Sequence, residues 1–290
     1  MASPEAKAQE LIGRADKKLA SWSFFGGNKY EAAEELYQKA ANQLKVAKSW
    51  AEAGGAFEKA AQCHLKLESA HEAASAYQDA AVCYKKVDAA RAIKVYKEVV
   101  SIHIDLGRFT SAAKVQKEVG ELYEAEGDAA AAMAAFQASA DYYQAEESQS
   151  TANQMLLKVA GLAATAGASR DLKKAIQIYE QVAIASLDSN LLKFSVKTYL
   201  LSAGICALAT GDIGAATNSL ERYEGMDASF AGTREGAFLK ALVAAFDESD
   251  DEAFTDVVRE YDEISRLDAQ KTSLLLEVKN KIKERECDLT

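Results

Sequence analysis

Three histidines, four cysteines and a surplus of carboxylates are the side chains of this sequence that could attack, coordinate a metal or move a proton. His64, His71 and His103 sit at ordinary positions of helical patterns. The Cys63-His64 pair, taken with His71 and Cys83, lacks the close two-plus-two ligand spacing of a zinc site. No GxxxxGK(S/T) phosphate loop, HExxH pair or GxSxG elbow occurs. Nothing in the chain therefore cradles a nucleotide, holds a hydrolytic metal or activates a serine. The expectation is a protein that is not an enzyme and needs no metal or cofactor.

The remaining chemistry is that of binding. Trp22, Phe24 and Phe25 crowd together just before Gly26-Gly27, flanked by Lys17, Lys18 and Lys29. They form either a loop folded onto the core or an apolar tip entering a membrane interface among anionic headgroups. Acidic groups gather at the other end. Residues 244–290 hold 14 acids against 7 Lys/Arg, a net of −7 out of −10 for the whole chain. The runs Asp247-Glu-Ser-Asp-Asp-Glu252 and Asp262-Glu263 are solvated surface or a dock for a basic partner. The other 243 residues carry only −3, which leaves room for a basic patch, while the overall charge argues against general nucleic-acid binding. Leu289 is a lone hydrophobe in the last residues, too exposed to serve a core.

Helices must position these groups. The single proline, Pro4, stands at the N-terminus, and the Ala, Leu, Lys, Glu and Gln that dominate lose little rotamer freedom in a helix. A small residue, three or four spacers, an aromatic and an Ala pair recur along the chain. The aromatic marks Tyr37, Phe57, Tyr77, Tyr96, Gln116, Phe136 and Leu156 at steps of 19 or 20, then Tyr179 after 23 and Tyr199 after 20. Each unit reads as one helix of about 14–16 residues and a short turn, two units making a hairpin. The fold class is thus all-α, a tetratricopeptide-like α-solenoid of helical hairpins. Turns fall at Gly107, Gly127-Asp128, Gly167-Ala-Ser169 and Gly211-Asp212. From about residue 240 the marker fades into patterns over Ala253–Leu267 and Ser273–Glu286, expected to form a C-terminal helical bundle cap. The domains expected are 1–30, an N-terminal helix and attachment loop; 31–240, the solenoid; and 241–290, the cap and acidic tail. Three of the cysteines, Cys63, Cys83 and Cys206, lie in apolar helical patterns, which suits a reducing compartment. No run nears the roughly 20 apolar residues of a membrane span, and the N-terminus lacks a signal peptide's apolar core. A cytoplasmic chain, at most peripheral to membranes, is expected.

On this frame the lysines acquire a register. Lys114 stands two before marker 116, Lys158 two after marker 156 and Lys197 two before marker 199, positions that share one helical face. They belong to alternate helices, which a stack of hairpins places in one layer. Lys193 and Arg234 extend the set into a track suited to a long, acidic, rod-shaped partner. The alternative is that these are solvating surface lysines.

The segments Ala47-Lys-Ser-Trp50, Cys63-His-Leu-Lys-Leu-Glu68, Asp105-Leu-Gly-Arg-Phe-Thr110 and Ser139-Ala-Asp-Tyr-Tyr143 resemble those of the alpha-type soluble NSF attachment proteins. So do Leu156-Leu-Lys-Val-Ala-Gly161, Glu260-Tyr-Asp-Glu-Ile-Ser-Arg-Leu-Asp268 and the ending Asp-Leu-Thr. The resemblance implies an adaptor that lies along the SNARE four-helix bundle, syntaxin included, and recruits and stimulates the hexameric ATPase N-ethylmaleimide-sensitive factor. It implies a chain monomeric in solution, with several copies around one bundle. By position it makes Lys114, Lys158, Lys193, Lys197, Arg234, Leu191 and Phe194 SNARE-facing, and Trp22, Phe24 and Phe25 membrane-attaching. Asp212, Asp247 and Glu248 become ATPase-facing, and Leu289 the residue needed to stimulate ATP hydrolysis. Gln154 stands where the family often has lysine, and Ala244 where it often has an acid. A generic tetratricopeptide scaffold for short peptides is the alternative; units near 40 residues per pair, longer than the common 34, count against it.

Overall fold

The computed structural model of the chain describes residues 3–21 and 28–289, with the side chains of residues 28 and 286–289 outside the description. Fourteen α-helices are present among the described residues, and no strand. The chain divides into two compact units, Met1–Ala152 and Asn153–Thr290.

The first unit comprises α1 (Pro4–Ala20), α2 (Asn28–Val46), α3 (Trp50–Lys66), α4 (Ala70–Tyr84), α5 (Ala89–Asp105), α6 (Phe109–Ala125) and α7 (Ala129–Ala145), followed by the start of α8 (Gln149–Thr165). From α1 to α7 each helix packs on the next in sequence, the pattern of stacked antiparallel hairpins. Each marker falls on its own helix, from Tyr37 on α2 to Leu156 on α8, and the spacing of the surrounding small residues explains the stack. Four residues before each of these markers stands an alanine with no exposed surface, from Ala33 to Ala152. Three and four residues after come small or β-branched residues, also buried, such as Ala40-Ala41, Val99-Val100 and Ser139-Ala140. All lie on one helical face, so each helix presents a flat stripe into which its neighbour's aromatic inserts. The fit is tight enough to select glycine. A Cβ on Gly120 of α6 would stand 2.8 Å from the Phe136 ring of α7. The repeat helices are longer than the sequence suggests, with 17 residues in each of α5, α6 and α7. The turns are correspondingly short.

Most of the described turns, though not the one from α4 to α5, follow one rule. An amide bonds back to a carbonyl five residues earlier, as in Ser69 N to His64 O at 2.9 Å, Asp128 N to Tyr123 O at 2.9 Å and Ser148 N to Tyr143 O at 2.9 Å. This is the Schellman closure, and it needs a left-handed residue just before the donor. Gly107 and Gly127 supply it at φ 66° and 79°, but Lys48, Glu68 and Glu147 supply it with side chains, at φ 61°, 57° and 54°. Glycine therefore marks only some of the turns.

The second unit holds the rest of α8 and α9 (Leu172–Leu187), α10 (Lys193–Thr210), α11 (Ile213–Met226), α12 (Arg234–Asp247), α13 (Asp251–Ile264) and α14 (Ala269–Leu289). Markers Leu156 on α8, Tyr179 on α9 and Tyr199 on α10 continue the repeat. Then the order changes: α10 packs on α9, α11, α12 and α14, and every residue from Leu200 to Ala209 is buried. A helix apolar on all sides is a core helix. Charges complete the packing. Lys281 and Arg285 of α14 donate to the carbonyls of Ala209 (2.5 Å) and Gly211 (2.6 Å), neutralising the C-terminal end of α10. Arg170 bonds Glu277 of α14 at 2.7 Å, and Arg222 and the Tyr223 hydroxyl both bond Glu180.

Candidate partner-binding surfaces

Two of the buried thiols are held in their protonated form. Burial raises the Cys63 thiol to about 11 and the Cys206 thiol to about 12, so at neutral pH neither forms the thiolate that attacks. Among the described residues no three His, Cys, Asp or Glu side chains cluster as a metal site. No described helix is long and apolar enough to cross a membrane.

In the first unit, Lys114 is exposed on the second turn of α6 and has no ion pair with a described carboxylate. It is not among the buried residues, such as Ala112, Ala113 and Val115, that bind α6 to its stack.

In the second unit, Lys158 is exposed on α8. The turn entering α10 concentrates the remaining groups. Leu191 is 89% exposed and Phe194 81%, extremes for large apolar side chains, with Lys193 between them in sequence. Neither serves the core, so both are available for a partner's apolar surface. Lys193 and Lys197 are one helical turn apart on α10 and share a face. Lys197, however, also holds the fold together. Its Nζ lies 3.1 Å from Glu235 Oε1, and the Glu235 side chain is only 12% exposed. Arg234, exposed at the first position of α12, donates through Nη1 to Ser265 Oγ at 3.1 Å. Lys197 and Arg234 are thus already tied to neighbouring elements. Glu235 was invisible as a partner because it lies 38 positions away in sequence, on another helix.

The acidic run between α12 and α13 divides by role. Asp250 caps α13, its Oδ1 accepting from Ala253 N at 2.8 Å, and Asp251 meets Lys279 and Lys283 at 3.7 and 3.4 Å. Asp247 and Glu248 do neither. They are exposed at the C-terminal end of α12, where the helix dipole is negative and each carboxylate costs rather than contributes, about 0.3–1 kcal/mol. Local stability gives no reason for acids there. Asp212 is exposed but employed, its Oδ1 accepting from Ala215 N at 3.0 Å to cap α11.

Trp22, Phe24 and Phe25 lie outside the described residues, as does the side chain of Leu289 at the end of α14. Reasoning from sequence missed Arg108. It occupies the cap position before α6, where α5 and α7 carry Asp88 and Asp128, and aligning the repeats at their turns would have exposed the change of sign.

The family described as Soluble NSF attachment protein, SNAP, matches residues 6–283. The alpha-soluble NSF attachment protein of Vitis vinifera is 46% identical over 288 residues, covering 99% of this chain and 98% of that protein. The alpha-soluble NSF attachment protein of Mus musculus is 43% identical over 292 residues, covering 98% of each. The probable vesicular-fusion protein sec17 homolog of Schizosaccharomyces pombe is 39% identical over 291 residues, covering all of both. With its helical repeat, its exposed basic and apolar entry to α10 and its uncommitted acids after α12, this chain belongs to the soluble NSF attachment protein family.

Proposed function

We propose that the chain is an adaptor that binds assembled SNARE four-helix bundles and recruits and stimulates the ATPase N-ethylmaleimide-sensitive factor, which disassembles them during vesicle trafficking. The reading rests on family membership and on one feature above the rest: Leu191 and Phe194 stand free of any core beside Lys193. A four-helix bundle exposes acidic side chains over an apolar seam, and a surface mixing lysine with exposed apolar groups complements both. Lys114, Lys158, Lys197 and Arg234 add positive charge to this function, each exposed pair contributing about 0.2–1 kcal/mol, so binding is modest per copy and salt-sensitive. Several copies on one bundle, attached to the membrane through Trp22, Phe24 and Phe25, raise the effective concentration.

Asp247 and Glu248 meet a basic domain of the ATPase, with Asp212 contributing at its helix cap, and Leu289 acts in stimulation of hydrolysis. The adaptor works in the cytoplasm, peripheral to membranes. Reconstitution tests the proposal: the chain, a purified SNARE bundle containing syntaxin, the ATPase and ATP give disassembly, and Leu191→Ser with Phe194→Ser abolishes bundle capture without changing the melting temperature. Intact bundles after incubation with active partners would refute the reading. Phe24→Ser with Phe25→Ser slows disassembly on liposomes and not in solution; equal slowing in both would remove the membrane role.

A further inference from the structure

The first unit contains a recess of about 270 Å³ where the first three turns of α4, the last turn of α5 and the first turns of α6 meet. Its polar lining includes His71 and Ser75 of α4, His103 of α5, Arg108 of the turn, and Ser111 and Lys114 of α6, with no carboxylate among the lining residues. Arg108 donates from Nη1 to His71 Nδ1 at 2.8 Å. Since a guanidinium only donates, His71 carries its proton on Nε2 and can donate in turn. His103 is 7% exposed and its Nδ1 is buried without a hydrogen-bond partner, an incomplete bond of the kind native structures rarely keep. The ends of α4 and α6 add to this. Neither Ser69 nor Arg108 places a side-chain acceptor over its helix's first amides, so both positive helix ends stay open.

We infer that this recess is a binding site for a phosphate dianion, free or as a monoester. Cations and hydroxyls converge from three elements, a number and spread of donors that matches a tetrahedral group with three free oxygens better than a planar carboxylate. Burial, with the Arg108 guanidinium close by, keeps His103 below its ordinary 6.5. A dianion opposes the positive field of Arg108 and Lys114. Orthophosphate and the phosphorylated side chain of a partner present the same chemistry, and the site is built for what they share.

The test uses the full chain alone, so it stands apart from bundle capture. O-phosphoserine and inorganic phosphate are titrated in turn by calorimetry, with sodium acetate and sodium chloride at matched ionic strength as controls. Saturable one-to-one binding is expected, weakened about tenfold or more by Arg108→Gln, since a charge-assisted bond is lost, and likewise by Ser111→Glu, which places a carboxylate in the recess. Lys97→Gln, outside the lining, leaves binding intact; circular dichroism confirms that every variant is folded. Tighter binding of O-phosphoserine points to a phosphorylated side chain, and tighter binding of phosphate to the free ion. Heats no larger than those of acetate, or equal affinity in the Arg108→Gln and Ser111→Glu variants, would overturn the inference.

Discussion

The helices from α3 to α7 and the helices gathered round α10 solve the same packing problem with different materials. In the first group, interlocking alanines and aromatics build the core and a few cations bridge its helices, Arg91 to Glu58 and Lys85 to Glu118, while Lys114 has no ion pair with a described carboxylate. Around α10 the repeat breaks down, and Lys281, Arg285, Arg170 and Lys197 bind carbonyls and carboxylates that the apolar core leaves over. A surface cation therefore means different things at different positions. Lys114 is spare and open to function, whereas Lys85 and Arg91 of the repeat and Lys197 of α10 have a structural duty that must be subtracted before any function is assigned.

Four measurements break or sharpen this contrast. Phe136→Ala should be the most damaging, costing about 3–5 kcal/mol, because the ring fills a groove shaped by Gly120 and the lost volume cannot be recovered by a rigid glycine backbone. A urea midpoint within error of wild type would show that the interlock is not what holds the stack. Charge reversal comes next. Lys114→Glu should weaken SNARE-bundle capture about tenfold while leaving the melting temperature in place, whereas Lys197→Glu should lower both, since it faces Glu235. Identical behaviour of the two variants would erase the distinction between spare and employed cations.

Acid should act next through Glu277. Burial alone would raise this carboxyl, but hydrogen bonds from Arg170 and Lys281 outweigh it and hold it below its ordinary 4.5. A depressed carboxyl stabilises the fold above its unfolded value, and that contribution disappears as the pH falls below about 4.5. Urea midpoints followed from pH 6 to pH 3 should fall, and Glu277→Gln should flatten part of the fall; an unchanged profile in the variant would assign the acid sensitivity elsewhere. The smallest effect is a gain. Glu147→Gly places a residue without Cβ at φ 54° and should raise stability by about 0.5–1 kcal/mol, readable as a higher midpoint. A loss instead would mean that the Glu147 side chain contributes more than its backbone conformation costs.

The repeat was legible because it is local. The steps of 19 and 20, with one of 23, place a marker on every helix from α2 to α10, and the small residues around each marker state which face is buried. The turns were half legible: Gly107 and Gly127 announce themselves, while Glu68 and Glu147 occupy the same left-handed position as residues that ordinarily avoid it. Exposure of Leu191 and Phe194 could not be read from spacing, because an apolar pair before a helix looks the same whether it faces a core or water. The tie from Lys197 to Glu235 and the recess under Arg108 were hidden for a related reason. Both depend on which helices become neighbours, and a pattern within one helix carries no information about the next.

The end of α12 carries one more implication. Asp247 and Glu248 sit against a negative helix terminus with no cation among the described residues to relieve them, so the isolated molecule keeps a small electrostatic debt in place there. Whatever brings positive charge to that spot cancels the debt, and the helix is thereby more firmly wound in the complex than alone. Slower amide exchange along α12 would then report engagement from within the adaptor itself, with no label on its partner.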